Sequence, residues 1–421
     1  MSQIDDDGIS NPSDNGHFSD VLAAAVRRRT ILIGGVAAAA ATFLSGGVGG
    51  ALAHAAPPVP PGRGRAPLLG FTGIPVSSAD TVIVPEGYTA RVLIAWGDPI
   101  SDGPAFEQDA SNTAAEQEQQ WGMHNDAVHF FPLTGRPGAG AGPGLRRGLL
   151  VQNHEYTDDV LLFPDGTANW DAAKTAKSLA AHGVSVLELE LRGGQWQIVR
   201  PSRYARRVTG STPITIAGPA AGDDLLKTGA DPTGTRVLGT LNNCSMGYTP
   251  WNTYLACEEN FNGYFRKDGP QTPLERRYGI TANGFGYLWH TTDSRFQADT
   301  EPNEPNRFGW VTEIDPFDPS STPVKRTALG RFKHEGSWVV ETRDKRVVVY
   351  SGDDEQNEYV YRYVSNRPWP AAIRRGPHPL DDGVLYAAKF NEDGTGEWLP
   401  ISIDEQKIAD AGFATQAQVL V

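Results

Sequence analysis

Short runs of alternating apolar and polar residues recur along the chain, and turn residues separate most of them. The pattern predicts strands over Thr81–Val84, Tyr88–Ala95, Gly148–Gln152, Val184–Leu191, Trp196–Val199, Arg236–Leu241, Thr253–Ala256 and Tyr287–His290. It continues over Gly309–Ile314, Trp338–Glu341, Arg346–Ser351, Glu358–Val364, Val384–Phe390 and Glu397–Ile401. One stretch reads as a meander, in which Trp338–Glu341 turns through 342–345 into Arg346–Tyr350 and Tyr359–Val364 follows. Leu385–Phe390 and Glu397–Leu399 read as a hairpin across 391–396. Helix is scarce. Asn169–Ala181 is the best candidate, with Asp171 near its start and Gly183 just past its end. Ser111–Gln120 reads as a short surface helix or ordered loop, Ile403–Ala411 as a short helix, and Arg374–Pro379 as irregular. Repeated small antiparallel sheets joined by loops predict an all-β fold. A β-propeller fits best, and a β-sandwich is the alternative.

Composition agrees with that class. Of the 421 residues, 47 are Gly and 31 are Pro, and only 39% are apolar, which favours many short strands and tight turns over a helical protein. The formal charge of −13 argues against nucleic acid as a partner, because phosphate backbones need clustered Lys and Arg. It leaves room for a small phosphate ester held through metal ions.

The N-terminus stands apart from the fold. A polar stretch over Met1–Asp20 leads into Arg27-Arg28-Arg29-Thr30-Ile31-Leu32, then an apolar run, then the small residues Ala51-Leu52-Ala53-His54-Ala55. This is the layout of an export signal over residues 1–55, and the arginines resemble the twin-arginine type. The implied partner is the twin-arginine export machinery and the implied location is extracytoplasmic, periplasmic or secreted. The apolar run is rich in Gly, so stable membrane insertion is not expected. Residues 56–70 read as an extended linker, and residues 71–421 as the globular domain, taken as a monomer.

The candidate chemistry centres on Cys244 and Cys257, the only cysteines, with Glu258 and Glu259 directly after the second. In an exported protein two cysteines suit a disulfide. A thiolate beside carboxylates suits instead a metal centre that contains iron. Other acids stand at strand ends: Glu155 after Asn153-His154, Glu335 after His334, and Asp353-Asp354-Glu355 after Ser351-Gly352. If such acids converge they repel each other and lose hydration, and multivalent cations remove the cost. Taken singly, Asp353-Asp354-Glu355 also reads as a solvated turn and Glu155 as an ordinary strand-end residue. The nine histidines lack close pairing, which speaks against zinc.

Several of these segments together resemble the PhoX family of exported alkaline phosphatases. The matching pieces are the leader, Trp121–Asp126, Asn153-His154-Glu155-Tyr156, Asn243-Cys244 through Glu258-Glu259-Asn260, Gly309–Pro316, Leu329–Gly336 and Ser351-Gly352-Asp353-Asp354, in the family's order. The resemblance implies a six-bladed β-propeller phosphomonoesterase with two ferric ions and several calcium ions. By motif, Cys244 would be the iron-bound thiolate, Glu258 and Glu335 iron or calcium ligands, and Glu155 and Asp354 calcium ligands, with Glu259 and Asp353 as further candidates. The chain departs from the family at its C-terminus. Relatives continue past the position of Val421 with an Arg-Pro-Glu segment that contacts phosphate and metal, and with strands that complete the propeller. The reading is therefore of a shortened phosphatase. The alternatives are a calcium-stabilised ligand-binding propeller and an inactive remnant.

Overall fold

The computed structural model describes residues 71–133 and 145–421. The export signal and linker read at residues 1–70 lie outside them. The chain divides into two compact units, Met1–Thr89 and Ala90–Val421. In the first unit, residues 71–89 hold no helix or strand. The strand expected at Thr81–Val84 is absent, and a turn at Pro85–Tyr88 follows, closed by a 3.0 Å bond from Tyr88 N–H to Pro85 O. The run Tyr88–Ala95 likewise forms no strand.

The second unit carries three sheets. The first has the order β1 (Asn125–Pro132), β2 (Arg147–His154), β3 (Gly183–Arg192), β4 (Gln195–Ile198), with β5 (Arg206–Val208) also paired to β3. The second sheet runs β7 (Arg236–Leu238), β6 (Pro213–Ala217), β11 (Val324–Arg326), β10 (Val311–Ile314), β9 (Tyr254–Glu258), β8 (Asn243–Tyr248). The third is a meander of five strands in chain order: β12 (His334–Glu341), β13 (Val347–Asp353), β14 (Val360–Ser365), β15 (Gly383–Phe390) and β16 (Gly396–Ile401). All pairings are antiparallel except β11 with β6. The meander and hairpin expected over 338–401 are present, as is the helix, at Ala172–Ala181 with Asp171 as its N-cap. Tyr287–His290, expected as a strand, instead overlaps a single helical turn at Trp289–Thr291. Residues 374–375, read as irregular, end a helix at Trp369–Arg375.

The all-β expectation holds, but the described sheets stay open and form no closed ring. They stack through two cores. Along β9, Tyr254 and Ala256 face a core shared with Leu149 and Val151 of the first sheet. Leu255 and Cys257 face the opposite core, with Val347, Val349, Tyr361 and Leu385 of the third sheet. The two-residue period of a strand thus sends alternate side chains of β9 into different cores. β9 is buried throughout, which is why its run is continuously apolar until Glu258.

Three strands start the sheets at a common centre, where β8 packs against both β1 and β12. No helix among the described residues is long and apolar enough to cross a membrane. The approach of β8 to β12 depends on Gly247, where a Cβ would collide with the carbonyl oxygen of Ser337. Gly247→Ala should therefore wedge the second and third sheets apart and lower stability by about 2–3 kcal/mol, read as a shifted urea midpoint. An unchanged midpoint would show that the contact yields without cost.

Candidate metal centre

Each sheet begins with a hairpin of the same design. In the first, Asn125 pairs with His154 and Val128 with Gln152, so Asp126 and Ala127 stand opposite Asn153 alone. In the second, Asn243 pairs with Glu258 and Met246 with Ala256, so Cys244 and Ser245 stand opposite Cys257 alone. In the third, Glu335 pairs with Gly352 and Trp338 with Tyr350, so Gly336 and Ser337 stand opposite Ser351. A β-bulge adds one residue to a strand and re-aims its side chains. Gly336 takes φ +87° in the third bulge, a conformation that costs glycine little.

The returning strands also end alike. The amide N–H of Glu155 donates to His124 O, that of Glu259 to Asn242 O, and that of Asp354 to Lys333 O, each at 3.0 Å. Each hairpin therefore offers two side chains at one end: Asp126 with Glu155, Cys244 with Glu259, and Glu335 with Asp354. Donor atoms of Cys244, Glu259 and Glu335 all lie within 4.8 Å of one another. The Cys244 thiol sits 3.6 Å from a Glu335 carboxylate oxygen and 3.6 Å from His334 O. Glu259 also hydrogen-bonds Asp354, and Glu155 hydrogen-bonds Asp126. Cys244 and Glu259 are buried, whereas Asp126, Glu335 and Asp354 are exposed, so the site deepens from an acidic rim to a floor that holds the thiol.

The electrostatics are those of uncompensated acids. Burial, followed by the hydrogen bond to Asp354, lifts Glu259 to about 8. Burial and the neighbouring Asp126 lift Glu155 to about 7. Burial raises Asp126, and burial with Asp354 raises Glu335. The Cys244 thiol is pushed up by burial first and by Glu259 next. No Lys or Arg is among the groups that govern these five. A soft sulfur and several hard oxygens, close together and without a cationic side chain, fit a multivalent cation.

Two acids expected near the metal go elsewhere. Glu258 belongs to the other face of the β9 end. Its carboxylate lies 2.7 Å from Lys325 Nζ, with both side chains fully buried. It also accepts from the N–H groups of Leu241, Gly309 and Trp310. Each Glu258 oxygen thus has protein donors, and it is Glu259 that lies beside Cys244 and Glu335. Asp353 likewise turns from the cluster towards Glu358 and Arg277, and burial lifts it to about 6. Strand alternation separates each adjacent pair of acids, and sequence alone did not say which member faced inward. Asp126 was missed as a ligand candidate because it follows no apolar strand; its signal was its place in the Trp121–Asp126 segment.

His154 and His334 are core residues. His154 Nε2 meets the Gly122 N–H and the Ser185 hydroxyl, and burial holds its pKa well below the usual value. His334 is bonded to Ser351 and to Gly330 O. Cys244 and Cys257 are both free thiols, so the disulfide reading does not hold.

Comparison with known proteins adds context. Residues 69–421 match the family described as alkaline phosphatase PhoX. Among solved structures, the chain is similar to Pseudomonas fluorescens PhoX in complex with vanadate, a transition state analogue, with 46% identity and a TM-score of 0.77. That match covers 84% of this chain and 62% of the other, so the chain spans less than two thirds of the relative's length. A search of curated proteins found no match.

Two outcomes follow from the site. Unfolded carboxylates titrate near their ordinary values, whereas Glu155 and Glu259 hold protons in the folded chain up to about 7 and about 8. The folded state thus binds the extra protons, and the stability this adds is present below the ordinary carboxylate range, is lost progressively as pH rises from that range to about 7 and about 8, and changes no further above them. Cation-stripped chain should lose thermal stability across that window, and added Ca²⁺ should restore it. A flat profile would contradict the cluster's electrostatics. Separately, Lys325→Met should cost about 3–5 kcal/mol by stranding Glu258, while Glu258→Gln with Lys325→Met together should cost far less. Urea titration of the two variants separates these.

Proposed function

The chain belongs to the PhoX alkaline phosphatase family, and from that membership we propose that the Cys244 cluster holds the cations of an exported phosphomonoesterase. The observation that carries this reading is the meeting of Cys244 and Glu259 of the second sheet with Glu335 of the third, with no cationic side chain among the groups that govern them.

In this reading Cys244 and Glu259 on the floor, with Glu335 reaching in from the rim, would hold a pair of ferric ions, because the Cys244 sulfur is the cluster's soft donor. Asp126, Glu155 and Asp354 offer oxygens alone, which suits calcium at the rim. When bound, these ions supply positive charge to phosphoryl oxygens and acidify a water. The chain's own residues do the rest. The bulges orient the donors, and a bound cation would take the place of the protons that burial favours on the thiol and on Glu259. The exposed rim admits a small ester. A Cys244 sulfur committed to a cation is not free to attack phosphorus, so in this reading the residues position and neutralise without forming a covalent intermediate. The matched PhoX is captured with vanadate, a transition state analogue. We carry over the expectation that a phosphoryl group in transit sits above this floor.

The three stacked sheets serve as blades of a propeller, the leader directs folded chain through the twin-arginine route, and the domain works as a monomer outside the cytoplasm.

The test is elemental analysis of the purified chain together with a phosphomonoester assay. The expected result is iron with calcium and measurable release of phosphate. Cys244→Ser and Glu259→Gln should each remove iron and lower the rate by about 100-fold or more. Glu258→Gln combined with Lys325→Met, a pair facing away from the thiol, should keep the metals. Calcium without iron would favour a ligand-binding module, and iron retained in Cys244→Ser would reject the role given to the thiol.

A further inference from the structure

We infer that Asn153 and Tyr254 are positioning residues that aim the Cys244 thiol, an inference that rests on the metal-centre reading above. Neither residue belongs to the donor triplet, and both are fully buried. The amide Nδ2 of Asn153 donates to Cys244 O and to Ser245 O, each at 2.9 Å. These are the two bulge residues that share the single partner Cys257 across the hairpin. Carbonyls in a bulge lack regular ladder partners, and buried carbonyls left unpaired are costly. One side-chain amide satisfies both. In doing so it fixes two successive peptide planes, and with them the direction in which the Cys244 side chain leaves the strand.

Tyr254 sets the amide. Its hydroxyl lies 2.9 Å from Asn153 Oδ1 and 3.1 Å from Ala127 O, with one hydrogen to give. A donor at Oδ1 requires the carbonyl end of the amide to face Tyr254 and the NH₂ end to face the bulge. The same hydroxyl reaches the bulge of β1, where Ala127 follows Asp126. A phenol on the second sheet and an amide on the first thus bind the two bulges into one frame. Asn153 also stands two residues before Glu155, so the frame sets the thiol relative to the Asp126–Glu155 pair.

The experiment uses the full chain and Co²⁺ as the probe, because a sulfur–cobalt bond gives a charge-transfer absorbance that carboxylate ligation does not. Unsubstituted chain is expected to show the band, and Cys244→Ser to lack it. Tyr254→Phe keeps the ring and removes only the hydroxyl. At a temperature where it is fully folded by circular dichroism, it is expected to bind Co²⁺ about 10-fold more weakly with the band diminished. Asn153→Leu is expected to lose more of the band, while Ca²⁺ binding changes by less than about 3-fold in both variants. Should Asn153→Leu fail to fold, Tyr254→Phe decides. A band of unchanged intensity and affinity in folded Tyr254→Phe, with only the melting temperature lowered, overturns the positioning role and leaves the metal reading intact. No band in the unsubstituted chain overturns the metal reading and this inference with it.

Discussion

Repulsion among acids that have no cationic side chain beside them is the constraint on which the rest of this molecule depends. Carboxyl groups of Glu259 and Glu335 meet at a thiol, Asp354 faces Glu259 and Asp126 faces Glu155, and those resolved as shifted all move towards the protonated form. An arrangement of this kind is unfavourable unless positive charge arrives from outside the chain. Elsewhere the same protein neutralises buried acids with its own cations. Glu258 has Lys325, and Glu313 has Arg326. The cluster is where that practice stops, and this contrast is the physical mark of a site that holds something.

The fold meets the constraint by repetition. Three hairpins begin at the centre, each interrupted by a bulge next to its ligand, and each closed by the same backbone bond ahead of an acid. The bulges bend the strands and point side chains out of the regular alternation, at the cost of unpaired carbonyls. The buried side chains of Asn153, Tyr254 and Ser351 take up those carbonyls. The polar interior around the site is thus a consequence of irregular strands, which are in turn a consequence of delivering donors from three sheets to one place.

Much of this was legible in the sequence. The third sheet could be read strand by strand, because its strands alternate cleanly and its turns carry Asp, Lys, Asn and Gly. The helix at Ala172–Ala181 announced its own cap. What could not be read were β1 and β8, which carry Asp126 and Cys244, and the short β5, β6 and β11. Asn243–Tyr248 has almost no apolar alternation, since its side chains serve the site and its backbone bulges. The choice between Glu258 and Glu259, and between Asp353 and Asp354, was hidden for a related reason. Adjacent acids at a strand end point to opposite faces, and the deciding register lies in the pairing with another strand. Lys325, which claims Glu258, comes from a strand of three residues too short to recognise. The family resemblance supplied the identity of the centre without the direction of its side chains.

The backbone bond that precedes each inward acid has a broader consequence. Because every ligand pair is delivered by the innermost hairpin of its sheet, the chain between those hairpins does not enter the geometry of the centre. Outer strands, peripheral helices and surface loops can lengthen, shorten or change composition without retuning the distances between donors. Such a scaffold separates inheritance of the chemistry from drift of the exterior. Relatives could share a reaction while presenting quite different surfaces to their surroundings.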